Sequence, residues 1–239
     1  LRRFIPQLRS YSIDAPISPT QFFRQVTDVF RSVSARIVVL GGILYYAGVG
    51  TYVALWVYIY SYFWEFTSEQ IALISIPMAV AAMFLPPAIA RWGIKYEKKT
   101  LAIIGLLSGM AINVIPISLR LLGFFPENGS TSLFLIMLIA GFFETMLLLL
   151  FDISWRSMIA DLTERTELET GRRNEGVISS TIAFTSKCAD ALGTLIAGTM
   201  LTLIAFPTET AVGEVSPSVI TKLGLAYGPM IFLIWMGVI

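Results

Sequence analysis

Residues 132–158 read SLFLIMLIAGFFETMLLLLFDISWRSM, an apolar run in which only Glu144, Asp152 and Arg156 carry charge. As a helix rising ~1.5 Å per residue, this stretch outspans the ~30 Å hydrocarbon core of a bilayer. It shows none of the apolar/polar alternation that a barrel strand requires. Moving outward, comparable runs lie at about 37–61, 70–90, 101–124, 177–206 and 221–239. The reading is therefore an all-α integral membrane protein with six transmembrane helices, occupying 37–239 of the 239 residues.

Composition supports this. The chain is 56% hydrophobic and 14% charged, against about 25% charged for a soluble domain, so a disordered chain or a nucleic-acid partner is excluded. There is no histidine and only one cysteine, Cys188. Histidine-built zinc sites, Ser-His-Asp triads and cysteine-rich metal sites are thereby excluded. An intramembrane hydrolase would need an aspartyl dyad. Asp152 and Asp190 are the available pair, and neither sits in a catalytic motif, so no enzymatic activity, metal or cofactor is expected.

The charges orient the spans. Most of the 17 basic residues fall before the first span, after the second, or around the end of the fourth. The opposite side carries Arg120 and Lys222. The excess of Lys and Arg on cytoplasmic loops places both ends of the segment in the cytoplasm, with the plasma (inner) membrane as the expected location. Residues 1–36 read as a cytoplasmic linker. Within it, Phe22, Phe23, Val26, Val29, Phe30 and Val33 recur at near-helical spacing, the pattern of an amphipathic helix on the membrane surface. The chain opens Leu1-Arg2-Arg3 and ends at Ile239 within an apolar run, as expected of the C-terminal part of a longer protein. Pro77, Pro86, Pro87 and Pro116 lie in or near spans, where proline frees carbonyls and bends helices. Asn128-Gly129-Ser130 fits a glycosylation sequon but is read as a turn.

Ionisable groups inside spans are costly and mark functional positions. Glu144, Asp152, Lys187 and Asp190 are the candidates. At ~100° per residue, Glu144, Phe151, Asp152 and Trp155 share one sector of the fourth span, expected to face a wet cavity. Glu144 has a second reading, a structural hydrogen bond to a neighbouring helix. Lys187 and Asp190 are spaced i, i+3 and can pair, either as a switch near a binding site or as a neutral pair that lets the helix insert. Ala189, Gly193 and Ala197 recur every fourth residue, a spacing that permits close helix packing. In the first span Tyr45, Tyr46 and Tyr52 lie deep and are candidates for sugar contact. Tyr58, Tyr60, Tyr62 and Trp64 are expected in an interfacial aromatic belt.

The segment after the fourth span reads Ala160-Asp161-Leu162-Thr163-Glu164-Arg165-Thr166-Glu167-Leu168-Glu169-Thr170-Gly171-Arg172-Arg173-Asn174-Glu175-Gly176, and is expected to form a cytoplasmic loop. It resembles the loop between helices ten and eleven of the glycoside-pentoside-hexuronide:cation symporters, the melibiose-carrier branch of the major facilitator superfamily. The helix from Val177 to Ala197, with its central Lys187, is similar to that family's helix eleven. The resemblance implies the C-terminal half of a twelve-helix transporter, whose partner is an N-terminal half of the same protein. The solute would be a small molecule, in this family a sugar or glycoside, moved with sodium or protons by alternating access. It also implies that Lys187 lies near both cation and solute. Asp161, Glu164, Arg165, Glu167, Arg172, Arg173 and Glu175 would then form a cytoplasmic gate with the other half, breaking as the carrier opens inward. A carrier of lipid-like or other amphiphilic solutes with the same fold is the alternative.

Overall fold

The computed structural model describes residues 33–170, 175–207 and 210–238. In chain order α1 spans Val33–Tyr58 and runs into a π-helical turn at Ile59–Phe63; α2 is Ser68–Phe84, α3 Pro86–Lys95, α4 Lys98–Leu121, α5 Thr131–Thr170 and α6 Glu175–Leu203. Then α7, Pro217–Leu225, passes through a second π-turn at Ala226–Met230 into α8, Ile231–Met236. The described residues are all-helical outside their connections. The linker 1–36 with its surface helix lies outside the described residues up to the start of α1.

Four helical stretches are long and apolar enough to cross a membrane: Leu40–Phe63, Lys98–Leu121, Thr131–Asp161 and Pro217–Met236. The α2–α3 pair makes a fifth if it is one broken span, with a bend of 49°. The expected continuous span 70–90 is interrupted at Leu85, because Pro86 and Pro87 open α3 and proline offers no N–H to continue the ladder. By contrast, Pro77 and Pro116 sit inside unbroken helices. α6 is the sixth expected span. Its 29 residues suffice to cross, at ~1.5 Å each, but Lys187, Asp190 and several Ser and Thr make it too polar to qualify on apolarity.

The expected loop after the fourth span is corrected more sharply. α5 continues without interruption to Thr170 and is 40 residues long. Residues 161–170, DLTERTELET, contain no glycine or proline, and the Glu, Leu and Arg among them favour helix. At ~60 Å this helix extends well beyond a hydrocarbon core.

Packing organises the helices into pairs. α1 lies along α6, and α4 along α5; α2 packs on the other side of α5, while α8 and the second π-turn wedge against α1. Large side chains with no exposure, including Leu55, Ile59, Trp64, Leu106 and Leu133, fill the centre. The α1–α6 crossing is the tightest. A Cβ on Gly193 would stand 2.1 Å from the Ala47 carbonyl oxygen, and one on Gly50 would stand 2.2 Å from the Asp190 carbonyl oxygen. Backbone meets backbone there, so only glycine fits. Thr51, fully buried, donates its hydroxyl to the carbonyls of Ala47 (2.8 Å) and Gly193 (3.0 Å). Ala189 and Ala197 are buried on the same stripe, so the small-residue repeat serves packing within the bundle.

At the other end, the Arg120 guanidinium lies over the rings of Phe63 (4.7 Å) and Trp64 (5.1 Å) and donates to the Asn128 side chain. Asn128 in turn reaches the Phe63 carbonyl, and Gly129 takes φ +77°, the left-handed geometry of a turn. The aromatic-belt expectation fails for Tyr60 and Trp64, which are buried. The π-turn rotates Tyr60 inward, and the Arg120 latch covers Trp64.

Candidate functional site at the junction of three helices

Three of the residues singled out from sequence meet where α1, α5 and α6 converge. The absence of a side chain at Gly41 admits the Trp155 indole, whose Cη2 would lie 2.9 Å from a Cβ at that position. Trp155 is buried and stacks on Phe151 at 5.7 Å. Phe151 in turn meets Tyr45 at 4.4 Å. Beside this apolar stack lies a polar triangle. Arg156 donates Nε to Asp152 Oδ2 at 2.8 Å and Nη2 to the Tyr46 hydroxyl at 3.0 Å. The Tyr46 hydroxyl donates to Asp152 Oδ1 at 3.4 Å.

A small cavity of about 20 Å³ adjoins it, lined by Gly42, Tyr46, Trp155, Ile182, Thr185 and Ser186 among others. The arrangement sets a buried aromatic ring beside donors and a carboxylate fixed by mutual hydrogen bonds, and the cavity itself has room for about one water.

Arg156 belongs to this site, although the sequence reading assigned it only to the loop charges. Its i, i+4 spacing from Asp152 is the signal that marks it. The sector through Glu144, Phe151, Asp152 and Trp155 is not open to a wide cavity. Glu144, Phe151 and Trp155 are buried, and Asp152 retains 24% side-chain exposure.

The remaining candidates are dispersed. Lys187 is exposed and Asp190 half-buried on α6; among the described residues no ion pair joins them, because the Asp190 turn is pressed against Gly50 of α1. Lys187 follows Ser186, which lines the cavity. Glu144 lies apart, among Tyr52, Tyr60, Asn113 and Tyr227. Of the gate residues, Asp161 is bound within this bundle: Lys98 at the start of α4 donates to both its oxygens at 2.6–2.7 Å. Glu164 is exposed. Arg172 and Arg173 lie outside the described residues, as do the side chains of Arg165, Glu167 and Glu175.

Charged groups kept inside a polytopic helical bundle mark functional positions in membrane proteins, transporters among them. A family model described as MFS/sugar transport protein matches residues 12–239. The chain belongs to this major-facilitator family, and is an integral membrane protein of the transporter class. No curated protein and no solved structure matches it.

Proposed function

We propose that this chain forms the C-terminal half of a cation-coupled symporter for a sugar or glycoside, in the melibiose-carrier branch of the superfamily. The observation that carries the reading is the Tyr46–Asp152–Arg156 triangle set against Trp155. With the other half closing over it, such a set offers donors, a carboxylate and an aromatic edge to a hydroxyl-rich solute. α6 supplies the sixth crossing, with the exposed Lys187 turned to the N-terminal half rather than to lipid.

Alternating access follows from rocking of the two halves about a site near the midplane. The coupling ion is sodium or a proton, with no other cofactor, and Lys187, Asp190 and Glu144 are the groups through which it acts. On the cytoplasmic side Glu164, Arg165, Glu167, Arg172, Arg173 and Glu175 engage the other half when the carrier faces outward. Asp161, held by Lys98 within this bundle, stands beside that network. The protein resides in the plasma (inner) membrane, with both ends of this segment cytoplasmic.

A second reading, carriage of an amphiphile, has its own support. An apolar groove of about 510 Å³ between α2 and α5 is lined by Leu73, Ile76, Val80, Phe134, Leu138 and Phe142. Any lipid-facing surface is apolar, however, so this groove discriminates less than the polar triangle.

The test is uptake of labelled glycosides and pentosides by the full-length protein in sealed vesicles, under an imposed sodium or proton gradient. Gradient-driven uptake that fails in Lys187→Ala and in Asp152→Asn is expected. Absence of sugar uptake under both gradients, with transfer of a labelled lysolipid instead, would establish the amphiphile carrier.

A further inference from the structure

Among the described residues, three buried side-chain atoms have no partner at full hydrogen-bond geometry: Trp56 Nε1, Glu144 Oε1 and the Tyr227 hydroxyl, with Tyr52 standing close to both Glu144 and Tyr227. They are not scattered. Glu144 and Tyr227 line one cavity together with Tyr60, Trp64, Asn113 and Met137, and Trp56 lies tilted against Tyr60 at 4.5 Å. Glu144 is 5% exposed and Tyr227 1%. The cavity has about 10 Å³ open to a water-sized molecule, the room one water needs.

Both π-turns meet here. Ile59 and Tyr60 come from the first and Tyr227 from the second. Such turns cost regular hydrogen bonding and concentrate at functional sites.

We propose that this cavity is a proton-binding site, with Glu144 as the carrier and one water bridging it to Tyr227. The proposal deepens the coupling-ion part of the symport reading and rests on it only for its role in transport. A carboxylate sealed from water needs a cation, by desolvation alone.

The groups that face Glu144 are Tyr52 from α1, Tyr60 from the first π-turn, Asn113 from α4 and Tyr227 from the second π-turn; no Lys or Arg lines the cavity. The nearest charge on its own helix is Asp152, two turns away and already paired with Arg156. A tyrosine hydroxyl or an asparagine amide can donate to a carboxylate or accept from a carboxylic acid. The shell therefore accommodates Glu144 with and without its proton. A proton needs no coordination shell, whereas sodium would have to draw its oxygens from these same hydroxyls and the Asn113 amide within a space that admits one water.

The proton moves from water to Glu144 Oε, forming an O–H bond, and returns to water when the bond breaks. Trp64, with no exposure, and Tyr60 form part of the cavity wall, and parting of the two π-turns would open Glu144 further to water. This couples proton release to rearrangement of α1 and α7–α8.

Infrared spectroscopy of the purified full-length protein tests the site without any transport readout. A protonated-carboxyl C=O stretch is expected at neutral pH. It should shift in protein prepared in D₂O, vanish in Glu144→Gln, and stay unchanged when sodium replaces potassium. Tyr227→Phe keeps the ring and the fold, checked by circular dichroism, and should displace the band. Absence of the band, its loss on adding sodium at constant pH, or a band indifferent to both Tyr227→Phe and Tyr52→Phe would overturn the proposal.

In vesicles, Glu144→Gln should abolish uphill accumulation yet retain downhill exchange. If no variant, nor the parent protein, moves any sugar, the symport reading fails while the infrared band still decides the proton site.

Discussion

Two glycines on α6 offer a controlled perturbation of the α1–α6 contact. At Gly193 an added Cβ would stand 2.1 Å from the Ala47 carbonyl oxygen and 2.7 Å from the Thr51 amide nitrogen. Neither obstacle is a flexible side chain, so Gly193→Ala must push the helices apart. Overpacking of this kind costs about 1–3 kcal/mol. The separation also lengthens the 3.0 Å bond from Thr51 Oγ1 to the Gly193 carbonyl, and interhelical bonds in membranes are worth ~0.6 kcal/mol, up to ~1.7. At Gly198 an added Cβ meets nothing within 4 Å. Both substitutions gain the same ~0.5–1 kcal/mol of helix propensity, so that gain cancels in the comparison. Gly193→Ala should therefore be less stable than Gly198→Ala by about 2–5 kcal/mol, the sum of the overpacking and hydrogen-bond losses. The assay is thermal unfolding of the full-length variants in one detergent. At ~2–4 °C per kcal/mol, the scale for about 150–250 residues, the Tm values should differ by roughly 4–20 °C. Equal Tm values for the two variants would refute the backbone-contact argument.

Three further outcomes follow from the same geometry. Trp155→Ala should destabilise by about 3–5 kcal/mol, since it empties the space beside Gly41 and Phe151, whereas Trp155→Phe should retain most of that stability; denaturant titration in micelles distinguishes them. The Asp152–Arg156 pair is partly exposed, at 24% and 62%, so a double-mutant cycle with Asp152→Asn and Arg156→Ala should give a stability coupling below ~1 kcal/mol. Solute uptake should nonetheless fall more than ~10-fold, about 1.4 kcal/mol in the transport barrier, in either single variant if the triangle binds the solute. Lys98→Ala removes the Asp161 partner at an exposed position, so its cost should stay within ~1 kcal/mol and shrink at high ionic strength, as thermal unfolding at two salt concentrations would record.

The membrane helices were legible because hydropathy is a property of a contiguous stretch. Residues 132–158 announce a span without reference to anything else in the chain, and Ala189, Gly193 and Ala197 announce a close contact. Helix ends were less legible. The run from Asp161 to Thr170 carries charges that resemble a loop, but helix propensity without a breaker extends α5 through it. The broken α2–α3 pair was half legible: the two prolines flag a bend, while its 49° size depends on packing against α5.

What lies opposite each charged residue could not be read from one dimension. Asp152 and Arg156 are local, and their pairing follows from helical spacing. Their bond to Tyr46 joins residues more than a hundred positions apart, and only the α1–α5 approach creates it. Glu144 was visible as a costly charge. That its neighbours are tyrosines from α1 and the second π-turn, with no cation among the residues lining its cavity, is a property of where helices cross. Lys187 and Asp190 have the spacing of a pair, yet the close approach at Gly50 draws Asp190 into the α1 contact instead. Sequence by itself determined solvent: which segments must leave water, and which charges are expensive there. Tertiary structure decided partners, because a side chain's electrostatic environment is fixed by atoms a few ångströms away in space and far away along the chain.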